Sequence, residues 1–196
     1  MLSEKNKKDL AKIQKQLETS DSERESLIKQ SRDIIKLSKQ LIYSTHRNDK
    51  KEADSAHSEI LAEFKKFSAR AKKDPELFHS GFSSVAAQEF VEAVAYYEYV
   101  NSRKIPTSTD LDVHETYYLL GLCDLTGELV RKAIYSVINN DFKSALDIHA
   151  TVRDIYEQLM LFDFRNGELR KKFDGIKYDM KKLEDLILEL KLKNKI

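Results

Sequence analysis

Apolar residues recur along this chain at intervals of three and four positions, inside segments that are otherwise densely charged. The most regular row follows the helical period through Leu169, Phe173, Ile176, Met180, Leu183, Ile187 and Leu190. Few residues interrupt the pattern, because the 196-residue chain contains only 5 Gly and 2 Pro. The pattern therefore predicts an all-α fold.

Capping and turn residues divide the pattern into seven helical segments. The predicted segments cover residues 2–18, 20–47, 50–73, 75–103, 112–139, 142–164 and a last helix that begins after Asn166-Gly167. Ser22 and Glu25 have the spacing of a capping box, which places a helix start near residue 20. The segment 2–18 is so polar that we expect it to fray or to dock on a neighbouring molecule.

Two of the predicted helices contain stretches that are almost free of charge, at residues 81–97 and 117–130. The only charged residues in these stretches are Glu89, Glu92, Asp124 and Glu128. Because Asp, Glu, Lys and Arg make up 34% of the chain, stretches of this length would ordinarily carry several more charges, of both signs. Carboxylates in apolar surroundings are costly to desolvate unless they meet a cation.

The spacing of these four carboxylates favours a shared metal site. The members of each pair are three or four positions apart, so each pair lies on one face of its helix. If the two helices pack side by side, the carboxylates converge and require shared protons or a divalent cation. Oxygen ligands suit Mg²⁺ or Mn²⁺, which support phosphoryl chemistry. The alternative is that each pair is only the solvated face of an amphipathic helix.

The sequence favours a carboxylate site for Mg²⁺ or Mn²⁺ over other kinds of metal site, and it also bears on where the protein is located. A di-iron bundle needs two Glu-x-x-His motifs, and the chain has one, at Glu76 and His79, outside the charge-poor stretches. The single cysteine, Cys123, excludes an intrachain disulfide framework and a Cys-rich zinc site. The net charge is +1, and no apolar run is long enough for a membrane span. We expect a cytoplasmic protein with one domain, residues 1–196.

One predicted helix carries a row of basic residues on one face. The row runs from Lys29 through Arg32, Lys36 and Lys39 to His46 and Arg47, and Tyr43 lies on the same line. Such a row is either a solvated helix face or a surface that contacts the phosphate backbone of a nucleic acid, where a tyrosine can stack on a base. Beside an acidic metal site, the row favours a nucleic-acid phosphodiester as substrate.

Several motifs resemble the translin family, and together they cover most of the chain. The residues Ser31-Arg32-Asp33-Ile34, Ser38-Lys39 and His46-Arg47 of this chain resemble the N-terminal signature of the family. The runs QEFVEAV at residues 88–94 and YLLGLCDLTGEL at residues 118–129 are similar to the catalytic, translin-associated members. The run LRKKFDGIKYD at residues 169–179 is more similar to the plain translin subunits.

The resemblance implies a seven-helix antiparallel bundle that assembles into a closed, hollow homo-octamer and binds single-stranded RNA and DNA. It further implies a Mg²⁺-dependent endoribonuclease, because the residues that carry this activity in the family match Glu89, Glu92, Asp124 and Glu128. We therefore expect cleavage of single-stranded RNA inside a closed shell, with Mg²⁺ or Mn²⁺ bound by these carboxylates. The alternative is a non-catalytic assembly that only binds single-stranded RNA or DNA.

Overall fold

The computed structural model describes residues 2–196, which form eight α-helices and no β-strand. The helices are α1 (Glu4–His46), α2 (Lys50–Ala71), α3 (Pro75–Phe78), α4 (Gly81–Ser102), α5 (Ser108–Leu111), α6 (Glu115–Ile138), α7 (Phe142–Leu159) and α8 (Glu168–Leu192). None of these helices is long and apolar enough to cross a membrane. The predicted all-α fold is confirmed, and the two short helices, α3 and α5, lie in the connections on either side of α4.

The two charge-poor segments form the centre of the bundle. α4 packs against α1, α2 and α6, and α6 also packs against α7 and α8. The side chains of Phe90 and Tyr96 in α4 and of Leu125 and Leu129 in α6 are buried. A helix with neighbours on several sides must be apolar around most of its circumference, which explains the scarcity of charge.

α1 is one continuous helix of 43 residues, so the predicted break between residues 18 and 20 is wrong. The capping-box spacing of Ser22 and Glu25 does not start a new helix, because no glycine or proline interrupts the backbone hydrogen bonds there. Residues 2–26 are exposed along the whole of this helical arm. The docking of residues 2–18 on a neighbour stays a prediction.

Local caps explain the other differences from the predicted segments. The segment 75–103 is divided into α3 and α4, because the Ser80 side chain accepts a hydrogen bond from the Ser83 backbone and caps a new helix. The connection between the predicted segments 75–103 and 112–139 contains α5, where Thr107 and Asp110 form a complete capping box. α7 ends at Leu159, earlier than predicted.

α8 packs on α6 and α7 through the apolar row that the sequence predicts. Residues of this row from Phe173 to Leu190 are buried. Lys172 and Asp179 directly precede two members of the row, Phe173 and Met180, so they lie at the edge of the interface. This position brings polar side chains of α8 beside α6.

Candidate functional site

An open acidic cleft lies where α4, α6 and α8 meet. α4 contributes Glu89 and Glu92, α6 contributes Asp124, and α8 contributes Lys172 and Asp179. Residues that are far apart in the sequence therefore line one space. The two helices that the sequence singled out do pack side by side, as the metal-site hypothesis requires.

Gly121 sets the close approach of α4 and α6. A Cβ atom at this position would lie 2.6 Å from the Val91 Cβ atom and 2.7 Å from the Gln88 backbone oxygen. No side chain larger than hydrogen fits there unless one helix moves. Asp124 follows Gly121 by one helical turn, and Glu89 follows Gln88 directly, so this contact fixes the distance between the carboxylates of the two helices.

Asp124 is held by donors from both neighbouring helices. The Lys172 ammonium lies 2.6 Å and 2.8 Å from the two carboxylate oxygens of Asp124. The Gln88 side-chain amide donates a third hydrogen bond, of 2.6 Å, to the same carboxylate. Burial raises the pKa of Asp124, and the bonds from Lys172 and Gln88 oppose this effect. Both oxygens of Asp124 are thus occupied by protein donors.

Glu89 and Glu92 differ from Asp124, because no donor within residues 2–196 forms a hydrogen bond with either carboxylate. Burial raises the pKa of Glu89, and the positive charge of Lys39 on α1 opposes that shift. Burial raises the pKa of Glu92 to about 8, with further contributions from the negative charges of Asp124, Glu89 and Glu128. If all its carboxyl groups were ionised, the cleft would carry more negative charge than its own cations balance, and without a metal ion Glu92 keeps its proton up to a pKa of about 8.

Glu128 lies at the edge of the cleft and contacts His46, the last residue of α1. The other ring nitrogen of His46 lies 2.8 Å from the Tyr96 hydroxyl. A neutral His46 that carries its proton on Nε2 satisfies both partners, because it donates to Glu128 and accepts from Tyr96. Arg131 lies one turn further along α6, 3.6 Å from Glu128. Glu128 is thus positioned by groups from α1, α4 and α6.

Three of the four predicted ligands, Glu89, Glu92 and Asp124, line the cleft, and Glu128 is near enough for its charge to act on Glu92, but the four do not form a ready-made coordination set. Within residues 2–196, no three His, Cys, Asp or Glu side chains are arranged to hold a metal ion. Two of the four carboxylates are engaged by other side chains, Asp124 by Lys172 and Glu128 by His46. The donor chemistry nevertheless fits a hard divalent cation, because Glu89 and Glu92 offer carboxylate oxygens that no protein donor occupies.

Three polar residues of the cleft were not predicted from the sequence, namely Gln88, Lys172 and Asp179. Asp179 accepts a hydrogen bond of 2.9 Å from the Thr126 hydroxyl, which ties α8 to α6. Gln88 directly precedes the predicted ligand Glu89, and this position could have identified it from the sequence as a residue of the cleft. The position of Lys172 and Asp179 beside the apolar row of α8 is the only signal for these two, and it does not say which partner they meet.

The structure divides the predicted basic row into two parts. Arg32, Lys36, Lys39 and Arg47 are exposed on α1. The His46 side chain is only 4% exposed and faces Glu128, so its assignment to the nucleic-acid contact surface is corrected. His46 follows the buried Ile42 by one turn, which turns it inward.

The exposed part of the row reaches the edge of the acidic cleft. The charge of Lys39 acts on the pKa of Glu89 across the contact of α1 with α4. The Tyr43 ring is half exposed, and the Arg131 guanidinium lies 5.5 Å from its centre. Cations and an aromatic face are thus placed next to a carboxylate-lined space.

Comparison with known proteins agrees with this architecture. The chain is 36% identical to an uncharacterized protein of Methanocaldococcus jannaschii over 162 residues, which are 81% of this chain and 72% of that protein. It is 24% identical to Translin-associated protein X of Rattus norvegicus over 226 aligned positions, which cover 92% of this chain and 77% of that protein. A solved structure of AfC3PO with duplex RNA superposes with a TM-score of 0.86 and 28% identity, covering 94% of this chain and 97% of that one.

The extent of the family match decides the assignment. The model of the translin family matches residues 22–194, from the middle of α1 to just beyond the end of α8. All the residues of the acidic cleft and the exposed basic row lie inside this range. The chain belongs to the translin family.

Proposed function

We propose that this protein is a Mg²⁺-dependent endoribonuclease that hydrolyses single-stranded RNA inside a closed homo-oligomeric shell. The observation that carries the proposal is the grouping of carboxyl groups in the cleft, where Glu89 and Glu92 face Asp124 without protein donors of their own, so that their ionised forms lack a counter-charge. A divalent cation is the group that best relieves this charge. The resemblance to the catalytic members of the family, which includes all four carboxylates, supports the same conclusion.

Each carboxylate has a role in this proposal. Glu89, Glu92, Asp124 and Glu128 would hold one or two ions, directly or through water. Bound Mg²⁺ supplies Lewis-acid chemistry, because it makes nearby water more acidic and neutralises charge that develops on the phosphate. A carboxylate that is not engaged with the ion orients the attacking water. His46 and Tyr96 keep the Glu128 side chain at the edge of the cleft.

The exposed basic residues of α1 position the substrate. Arg32, Lys36, Lys39 and Arg47 attract the phosphate backbone, and the half-exposed Tyr43 offers a ring on which a base can stack. Their place at the edge of the cleft lets one polynucleotide touch both surfaces. The related AfC3PO structure holds duplex RNA, so single-stranded and duplex RNA of the same sequence are the two substrates to compare.

The test separates catalysis from folding. Asp124→Asn and Glu128→Gln should each abolish Mg²⁺-dependent cleavage of labelled RNA and leave helicity and assembly nearly unchanged. Glu115→Gln is the matched control, because Glu115 lies on the same helix with its side chain 83% exposed. Cleavage at the original rate by both site variants would overturn the proposal.

A second candidate function is binding of single-stranded RNA or DNA without cleavage. The observation in its favour is that Lys172 and His46 already engage Asp124 and Glu128, and that the part of the chain described by the structure holds no preassembled metal-binding set. Incubation of labelled RNA with the protein in Mg²⁺ and in EDTA distinguishes the two functions. Retention of intact RNA under both conditions favours binding alone.

We further propose that the shell is a homo-octamer. Large apolar side chains are exposed on single chains in two separate regions, Leu10, Ile13 and Leu17 on the arm of α1 and Ile134, Tyr135 and Ile138 on α6. Exposed apolar surface of this kind is typical of subunit contacts. Native mass spectrometry measures the number of subunits, and a monomer at all concentrations contradicts the shell.

A further inference from the structure

Lys172 occupies the place in the acidic cleft that a bound cation would take. Its ammonium contacts both oxygens of Asp124, at 2.6 Å and 2.8 Å, and its charge also acts on Glu89 and Glu92. We propose that Lys172 is the resident counter-ion of the cleft, that a divalent ion displaces it, and that it thereby sets the metal concentration that the protein requires. This inference rests on the proposed metal-dependent function.

The contacts of Asp124 show why displacement is necessary. Gln88 donates to one of its oxygens, and Lys172 contacts both. A carboxylate oxygen can accept a hydrogen bond and still coordinate an ion, but an ammonium 2.6 Å and 2.8 Å from the two oxygens lies where the ion would bind and repels it. Lys172 therefore competes directly with an ion for Asp124.

Of the two residues that contact predicted ligands, Lys172 and His46, Lys172 is the one that can leave. His46, the partner of Glu128, is enclosed with 4% of its side chain exposed and is bonded to Tyr96 on its other nitrogen. The Lys172 side chain is 25% exposed and extends from α8 on a flexible four-carbon stem into an open cleft. Within residues 2–196, Asp124 is its only ion-pair partner. Rotation about the stem moves the ammonium into solvent without moving a helix.

The exchange is favoured by charge. Replacing one ammonium by a divalent ion adds a unit of positive charge among Glu89, Glu92 and Asp124, and Lys172 is the one cation among the described residues that line the cleft. Against this, the divalent ion must overcome the hydrogen bonds of Lys172 to Asp124. The competition lowers metal affinity relative to a cleft without the lysine, and this difference can be measured without RNA.

The experiment measures Mn²⁺ binding by electron paramagnetic resonance in the absence of RNA. Lys172→Met should lower the Kd for Mn²⁺ by about tenfold or more, because a unit charge at this range commonly shifts an ionic equilibrium by about one pKa unit or more. Lys171→Met is the matched control, because Lys171 is exposed on the same helix, and its Kd should equal that of the wild type. Lys172→Arg keeps the charge and should not bind Mn²⁺ more tightly.

The outcomes separate this inference from the proposed function. If the wild type binds Mn²⁺ and Lys172→Met binds it equally or more weakly, the inference is overturned and the metal site stands. If neither protein binds Mn²⁺, both are overturned. A second measurement uses only the wild type and maps the acylation of its lysines by mass spectrometry. Acylation of Lys172 should increase when Mn²⁺ is added, whereas acylation of Lys171 should not change. Unchanged acylation of Lys172 contradicts the displacement.

Discussion

Gly121 of α6 lies so close to Val91 of α4 that a Cβ atom at Gly121 would be 2.6 Å from the Val91 Cβ atom. This contact brings the carboxylate-bearing faces of the two central helices together. Gly121→Ala should lower the free energy of unfolding by about 1–3 kcal/mol, because overpacking forces a helix to shift. This loss exceeds the gain of about 0.5–1 kcal/mol that alanine brings to a helix interior. Urea unfolding followed by circular dichroism measures the change.

Gly175→Ala is the control for this prediction, since Gly175 is also inside a helix but has nothing within 4 Å of an added Cβ atom. It should raise the free energy of unfolding by about 0.5–1 kcal/mol. If the two variants are equally stable, the contact of α4 with α6 is not tight and does not fix the geometry of the cleft.

Much of the fold and half of the site were accessible from the sequence for a physical reason. Helices at the centre of a bundle lose their charges, so the charge-poor stretches marked both α4 and α6 and the carboxylates on them. The partners of these carboxylates were not accessible. Lys172 reaches Asp124 from a helix 48 positions away, and no local pattern encodes which lysine of α8 makes that contact.

Two predictions were wrong because local spacing does not show the structural context of a residue. The spacing of Ser22 and Glu25 is compatible with a cap, but a cap forms only where the helix ends, and α1 does not end there. His46 and Arg47 are neighbours in the sequence, yet one is enclosed beside Glu128 and the other is exposed. Spacing along the sequence does not show which of two neighbouring residues at the edge of a buried helix face is enclosed and which is exposed.

The exposed basic row should dominate the salt dependence of RNA binding. Lys36→Ala and Lys39→Ala should each weaken the binding of single-stranded RNA and reduce the slope of log K against log salt by about 0.7, the value expected for one phosphate contact. Filter binding in EDTA at several salt concentrations measures the slope without cleavage. Lys65→Ala, at an exposed lysine of α2, is the control and should leave the slope unchanged. An unchanged slope in all three variants would remove the row from the binding surface.

His46 should act on stability and on Glu128 rather than on RNA affinity. His46→Ala leaves the Tyr96 hydroxyl and the Glu128 carboxylate without their partner, which should lower the free energy of unfolding by about 1–3 kcal/mol. RNA affinity in EDTA should not change. Arg47→Ala should weaken RNA binding and leave the free energy of unfolding nearly unchanged, because Arg47 is exposed and pairs only with Glu52 at the surface. Weaker RNA binding by the His46 variant at unchanged stability would restore His46 to the contact surface.

Glu92 should make the stability of the metal-free protein depend on pH. The folded protein raises the pKa of this carboxyl from 4.5 to about 8, so between these values it binds the proton more tightly than the unfolded chain does. The free energy of unfolding should therefore fall as the pH rises through this interval, because the Glu92 carboxyl ionises more readily in the unfolded chain, and ionisation then favours the unfolded state. Melting temperatures in EDTA at a series of pH values measure the slope.

Glu92→Gln should reduce this decrease, because glutamine has no proton to lose, whereas Glu115→Gln at the exposed start of α6 should keep it. The variant should also be more stable than the wild type at the alkaline end, where the wild type must ionise a carboxyl beside Asp124 and Glu89. A wild-type melting temperature that is constant or rises across this interval, with the same profile in Glu92→Gln, would mean that Glu92 is already ionised without cost. The cleft would then not need a cation to relieve its charge.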